Sequence, residues 1–324
     1  MASLAEIRAR LQEQEQKSGG KSGGGDSAIY PFWNIPEGTT ATLRFLPDGD
    51  ANNTFFWLER QMIRLPFPGV KGGDEGRAIA VQVPCVEMWG DKCPILAEVR
   101  PWFKDKSLED LGRRYWKKKS YIFQGFVTSN PLNEENEPEN PVRRFIINPS
   151  IFNIIKAALM DPEMENTPTD LTNGTDFRLI KTTKGQYDDY STSNWARKER
   201  GLNEQELEAI QKHGLFNLND FMPKKPTSDE LVLIKEMFEA SVNGELFDQD
   251  RWGAFYRSGG GGNSPARTPA PAADDMDDES AAPAPASRPA PAAPAPAAPA
   301  AKEEGKKANV DDILKMIRER KTQA

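Results

Sequence analysis

From Ser258 onward the chain turns to glycine and then to a proline/alanine mixture, with ten prolines between Pro265 and Pro299. Such a composition cannot bury enough apolar surface to offset the entropy of ordering, so 258–308 is expected to be a disordered, partly polyproline linker. The glycine/serine run SGGKSGGG at 18–25 is expected to act as a hinge that detaches a short N-terminal arm, 1–25. A chain of 324 residues has room for about two average domains, but the compact body is expected to be only 26–257. Beyond the linker, 309–324 stands alone as a C-terminal element.

The body reads mainly as strands. Segments 40–46, 54–65, 78–83, 120–128, 143–147 and 177–182 are rich in β-branched and aromatic residues, and several alternate apolar with polar positions as a half-buried sheet requires. In 120–128 that alternation puts Tyr121, Phe123 and Gly125 on one face and Ile122, Gln124 and Phe126 on the other, so one set is expected to face away from the core. Helices are predicted after Asn148-Pro149, over 203–212 and over 228–240. Two more lie at the ends. Ser3 to Glu6 forms a capping-box pattern, with Leu4, Ile7 and Leu11 on one face beside Arg8 and Arg10. Asn309 caps a second, whose Val310, Ile313, Leu314 and Ile317 make an apolar stripe with no local core to cover it, so a docking role on a partner is expected.

Charge is unevenly distributed in a chain of net charge −7. The window 201–250 holds eleven acids and four bases, whereas 100–123 holds eight Lys/Arg against three acids, interleaved with Trp102, Phe103, Tyr115, Trp116, Tyr121 and Phe123. Cations neutralise phosphates and release counterions, and aromatic faces stack on unpaired bases, so this block points to a single-stranded polyanion. The competing reading makes the aromatics core and the lysines a solvated face.

Enzymatic chemistry finds little support. The single histidine, His213, precedes a glycine where a helix end is expected, and no phosphate-cradling glycine motif accompanies a strand and helix. Asp188 and Asp189 could serve a metal-dependent nuclease, but between Tyr187 and Tyr190 they read more simply as a polar loop. Cys85 and Cys93 supply two thiolates where structural zinc wants four ligands, so no cofactor is expected. Two cysteines are too few for a disulfide framework, and no apolar run nears the roughly 20 residues that span a bilayer; a reduced, cytoplasmic setting is expected.

Over roughly 40–200 the chain resembles the single-stranded DNA-binding, helix-destabilising replication proteins of T-even-type phages. The resemblance is carried by Arg44-Phe45-Leu46-Pro47, Cys85 with Cys93-Pro94, and Lys117 to Tyr121. It continues through Arg144-Phe145 leading into a helix with Ile151 and Ile154, and Glu163 to Thr172 before the strand at Phe177. It implies an α+β chain built on an OB-fold, a five-stranded Greek-key barrel with a basic, aromatic-lined cleft for single-stranded DNA, plus an arm for cooperative self-association and a partner-recruiting tail. By position, Lys117, Lys118, Lys119 and Tyr121 match the family's basic-aromatic strand, Tyr187 and Tyr190 match its later pair of aromatics, and Arg143 lies near an aromatic position. The family's zinc site of one His and three Cys is incomplete here: Leu96 stands where a thiol is expected and no upstream His exists, leaving Cys85 and Cys93 as a remnant.

The expected function is therefore a sequence-independent, cooperative coat for single-stranded DNA in phage replication, recombination and repair. Arg113, Arg114, Lys117, Lys118, Lys119, Arg143 and Arg144 are expected to contact phosphates, and Tyr115, Trp116, Tyr121, Tyr187 and Tyr190 to offer stacking faces. Leu4, Ile7, Arg8, Arg10 and Leu11 would mediate self-association, and Val310, Ile313, Leu314 and Ile317 partner binding. An RNA-binding repressor on the same cleft is the alternative.

Overall fold

The computed structural model describes residues 27–73, 76–134, 137–185 and 187–256. The arm residues Leu4 to Leu11, the linker and the stripe Val310 to Ile317 lie outside these. The described chain forms two compact units, one running to Leu58 and from Tyr121 to Met222, the other from Glu59 to Ser120 and from Pro223.

The first unit is an antiparallel sheet with helices. Its strands are β1 (Thr40–Phe45), the far part of β4 (Lys118–Ser129), β5 (Arg143–Ile147), β6 (Gly174–Ile180) and β9 (Asn194–Arg200), in the order β5-β4-β1-β6-β9. Among the described residues no pairing joins β9 to β5, so this sheet is open rather than closed into a barrel. The fold class is α+β, as expected, with a mostly antiparallel sheet. Strand β4 pairs over 121–125 with β5 and over 125–129 with β1. Gly125 permits the second pairing, because a Cβ there would meet the Arg44 carbonyl oxygen at 2.0 Å.

Two apolar clusters cover β4 on both faces. Phe45, Phe123, Phe145 and Phe177 pack with Ile151, Phe152 and Ile155 of α3 (Pro149–Leu159), whereas Phe126 packs with Leu46, Val142 and Ala209 of α4 (Glu204–His213). The expectation that one face of 120–128 looks outward is thus corrected. Gln124 is buried by satisfying its amide: Nε2 donates to the carbonyls of Pro47 (2.7 Å) and Phe216 (2.8 Å), and Oε1 accepts from Phe216 N–H (2.8 Å). Helix α3 starts where Asn148 Oδ1 accepts from Ile151 N–H, with Pro149 at the first position, and α4 is held by a reciprocal Asn203/Glu206 box.

The second unit pairs β2 (Trp57–Phe67) with β3 (Ile79–Pro84) and covers them with helices. Its core joins Ile63, Leu65, Val81 and Val83 to Ile95, Leu96 and Val99 of α1 (Pro94–Val99), Tyr115 of α2 (Glu109–Tyr115) and Phe247. It also takes Ile234, Met237 and Phe238 from α5 (Ser228–Val242) and Trp252 from α6 (Gln249–Trp252). Thr227 and Glu230 close the capping box that starts α5, and Ile234, Met237, Phe238 and Ser241 recur at helical spacing on its buried face. Strands β2 and β4 each cross from one unit into the other along the chain.

Candidate nucleic-acid interface

In the second unit, the cation-aromatic block folds as a 3₁₀ turn (Arg100–Lys104), α2 and the start of β4. The helix segregates the block. Tyr115 is buried, its hydroxyl 3.0 Å from Ser241 Oγ and its ring edge-on to Trp102 and Phe238, and burial raises its pKa above the ordinary tyrosine value. Trp116 is half-buried, edge-to-face with Phe103 at 5.0 Å. Tyr115 is therefore packing where an open stacking ring was expected: once 109–115 is helical, its aromatic side turns onto α5.

The cations of the block divide. Arg113, Arg114 and Lys118 are exposed, Arg113 pairing along its own helix with Glu109 at 2.8 Å. Lys117 is mostly buried against Glu87 (2.8 Å), which also accepts Arg100, and Lys119 lies 3.3 Å from Glu59. These two lysines are neutralised by acids of their own unit, which lowers what they can offer a phosphate.

In the first unit, four expected contact residues are internal. Tyr121, only 7% exposed, stacks on Phe152 with centroids 3.5 Å apart and planes at 11°. Tyr190 is buried edge-on to Phe32, and burial raises its pKa. Arg143 forks onto Glu134 through Nη1 and Nη2, each at 2.9 Å, while Asn130 donates to the same carboxylate and receives the Tyr30 hydroxyl at 2.8 Å. Those Arg143 bonds hold the Glu134 carboxyl below the usual range. Arg144 is buried with its guanidinium carbon 3.5 Å from the Phe221 ring centre. Buried cations of this kind require partners, and here they have them. Arg44, which helps carry the family resemblance, is likewise fully buried; its Nη2 donates to the carbonyls of Asp170 (2.7 Å) and Arg200 (2.9 Å).

Tyr187 behaves differently. Strand β6 leads through Lys181 into β7 (Thr182–Lys184), the chain reverses at Gly185, and β8 (Tyr187–Asp189) returns toward β9. Gly185 supplies the left-handed backbone, φ 69°, that a tight hairpin turn favours. At the tip Tyr187, 46% exposed, lies in register opposite exposed Lys184. Arg178, Arg197 and Lys198 are exposed on β6 and β9. Between Arg178 and Lys198 the only acids are Asp188 and Asp189. Asp188 lies 2.9 Å from Lys181 Nζ, and Asp189 accepts from the hydroxyl and N–H of Ser191, which lower its pKa. Lys184 has no signal in the sequence, because a three-residue strand leaves almost no periodicity, and Arg178 reads only as one outward position of the strand expected over 177–182.

His213 closes the last turn of α4 before Gly214, at φ 73°. Cys85 and Cys93 are buried, free thiols, and among the described residues no group of three or more His, Cys, Asp or Glu gathers as a metal would require. No helix among the described residues is long and apolar enough to cross a membrane. No protein-family model matches this sequence, and no curated protein is significantly similar to it.

Proposed function

We propose that this chain is a non-enzymatic, sequence-independent single-stranded DNA-binding protein that uses the β6–β9 hairpin as its principal contact. The observation that carries the reading is the hairpin tip: a half-exposed Tyr187 ring opposite exposed Lys184, on a ribbon whose flanking strands expose Arg178, Arg197 and Lys198. A ring open to solvent beside cations suits an unpaired base and its phosphate. Arg113, Arg114 and Lys118 of the second unit would add phosphate contacts. Asp188 and Asp189 are occupied by Lys181 and Ser191, which favours binding over metal-assisted cleavage.

The finer family-level expectations belong to this proposal too. An OB-related arrangement draws support from five antiparallel strands and from β4 pairing with both β1 and β5, although the sheet is open. Action on phage DNA in replication, recombination and repair, cooperative self-association through 1–25, and recruitment of replication proteins through 309–324 rest on the resemblance, whereas independence of any metal rests on the incomplete ligand set, with Leu96 where a further thiol is expected. The test is an anisotropy titration of a labelled oligo(dT) at several salt concentrations, with duplex and poly(U) competitors. The reading expects steep salt dependence and preference for oligo(dT). Equal affinity for duplex would remove the single-strand claim, tighter poly(U) binding would favour the RNA alternative, and magnesium-dependent cleavage would restore a nuclease.

A further inference from the structure

The chain between β1 and β2, in the first unit, carries aromatic chemistry that the hairpin does not use. Phe55, 58% exposed, is the most exposed aromatic ring among the described residues. It lies 4.8 Å from the ring of Trp57, and half-buried Trp57 is itself anchored, stacked on Phe123 (5.8 Å) and edge-on to Phe152 (5.4 Å). The adjoining Phe56 packs on Phe45 and Phe123 of the core. With those two rings filling the space inward, Phe55 keeps most of its surface in water.

Polar side chains of the loop hold it in that place. Asn53 Oδ1 accepts from Phe55 N–H (3.0 Å), and Asn53 Nδ2 donates to Asp48 Oδ2 (2.8 Å). The other Asp48 oxygen accepts from Leu218 N–H (2.9 Å), which ties the loop to the body of its unit. Gly49 seals the same junction: its N–H donates to the Phe216 carbonyl, and a Cβ there would meet that oxygen at 2.8 Å. Asp50 accepts from the N–H and the side chain of Asn52, so both acids of the loop are engaged by its own donors. A ring fixed in this way has little freedom left to lose on binding.

A lone surface apolar residue needs no explanation, but this one is backed by a second ring and held out by a bonded loop. Asn52, Asn53 and Thr54 precede it, so no aliphatic patch continues from it along the chain. An open aromatic face among polar groups suits an unpaired base, which has a flat π-face and a hydrogen-bonding edge. Lys156, exposed one turn beyond Phe152 on α3, adds a cation on that side of the loop. Thr40 pairs with Ile180 and Leu43 with Phe177, so β6 leaves the sheet toward the hairpin at the Thr40 end of β1. The segment bearing Phe55 leaves from the Phe45 end. The two exposed rings are thus carried from opposite ends of a strand roughly 17–20 Å long.

We propose that Phe55, backed by Trp57, is a second base-stacking site, taking an unpaired nucleobase of the same single strand that meets Tyr187; this rests on the single-strand reading of the protein. Phe55 supplies the stacking face, and Asn53 and Asp48 act as positioning residues that keep it presented.

The experiment titrates labelled oligo(dT), and an abasic oligonucleotide of equal length, with wild type, Phe55→Ala, Phe55→Trp and Tyr187→Ala, with urea unfolding alongside. Phe55→Ala should weaken oligo(dT) binding about 5- to 150-fold, leave the salt slope and the unfolding midpoint unchanged, and leave abasic binding as in wild type. Phe55→Trp should restore affinity, and photocrosslinking of the wild-type chain to an oligonucleotide carrying 5-iododeoxyuridine should label residue 55. Equal affinities of wild type and Phe55→Ala while Tyr187→Ala binds more weakly would overturn the second site and leave the hairpin reading standing; absence of any wild-type binding would remove both. An equal loss on the abasic strand would also overturn the stacking assignment. So would a change in sedimentation with unchanged DNA affinity, which would make Phe55 a contact between copies of the chain. Should a variant lose stability, the wild-type crosslink decides, and labelling that spares residue 55 overturns the proposal.

Discussion

The molecule has two basic, aromatic-bearing stretches that orient their rings oppositely. In 100–121, Tyr115 and Tyr121 are buried and Trp116 half-buried, while the cations Arg113, Arg114 and Lys118 are exposed. In 178–198, Tyr190 is buried but Tyr187 is held out at a hairpin tip with Lys184. The difference comes from what lies beneath: Tyr115 sits on the core-facing side of α2 and Tyr121 on a part of β4 covered by α3, whereas the tip of a two-stranded ribbon is not itself covered. Composition alone does not distinguish a stacking surface from packing beneath a charged skin.

The largest effects should fall on the buried side of this comparison. Tyr121→Ala removes a ring stacked on Phe152 and should cost about 3–5 kcal/mol of stability in urea unfolding, the range for emptying a large aromatic site. Unchanged stability with lost DNA affinity would instead make Tyr121 a contact residue. Glu134→Gln leaves Arg143 buried without its counter-charge and should cost about 3–5 kcal/mol.

The same pair sets an acid dependence. The Glu134 carboxyl is depressed in the folded chain, so its stabilisation is fully present above the unfolded value of about 4.3 and is lost as pH falls through the lower folded value. Urea midpoints of wild type and Glu134→Gln should therefore converge in acid. A gap that stays constant from neutral pH down through the acid range would contradict the ion-pair assignment.

On the exposed side the effects are smaller and change binding rather than folding. Lys184, Arg197 and Lys198 replaced together by Ala should lower the slope of log affinity against log salt by about 2, at roughly 0.7 per lost single-strand phosphate contact. An unaltered slope would move the interface off the hairpin. Arg113→Ala should be smallest: it breaks an exposed helical pair worth about 0.3–0.5 kcal/mol and lowers the slope by no more than about 0.7.

Much of the framework was legible in the chain. Strands at 40–46, 143–147 and 177–182 and helices after Asn148, over 203–212 and over 228–240 were marked by alternation, caps and proline placement, and the described elements follow them within a few residues. The 100–117 segment was harder. Its helix 109–115 is only seven residues long and carries no side-chain N-cap, so the usual start signal is missing there. The basic-aromatic pattern was visible, but its sorting into inside and outside depends on which face of a seven-residue helix meets α5, a tertiary fact. Likewise Arg143 and Arg144 read as phosphate contacts until Glu134, nine residues before Arg143, and Phe221, far along the chain, are seen to engage them.

The most direct test of the central claim is a titration of labelled oligo(dT) with wild type and Tyr187→Ala at matched salt, with urea unfolding of both proteins alongside. If the exposed hairpin ring stacks on bases, Tyr187→Ala weakens binding by about 1–3 kcal/mol, roughly 5- to 150-fold, with an unchanged unfolding midpoint. Equal affinities at equal stability would show that Tyr187 is a surface bystander and that the hairpin is not where this protein meets single-stranded DNA.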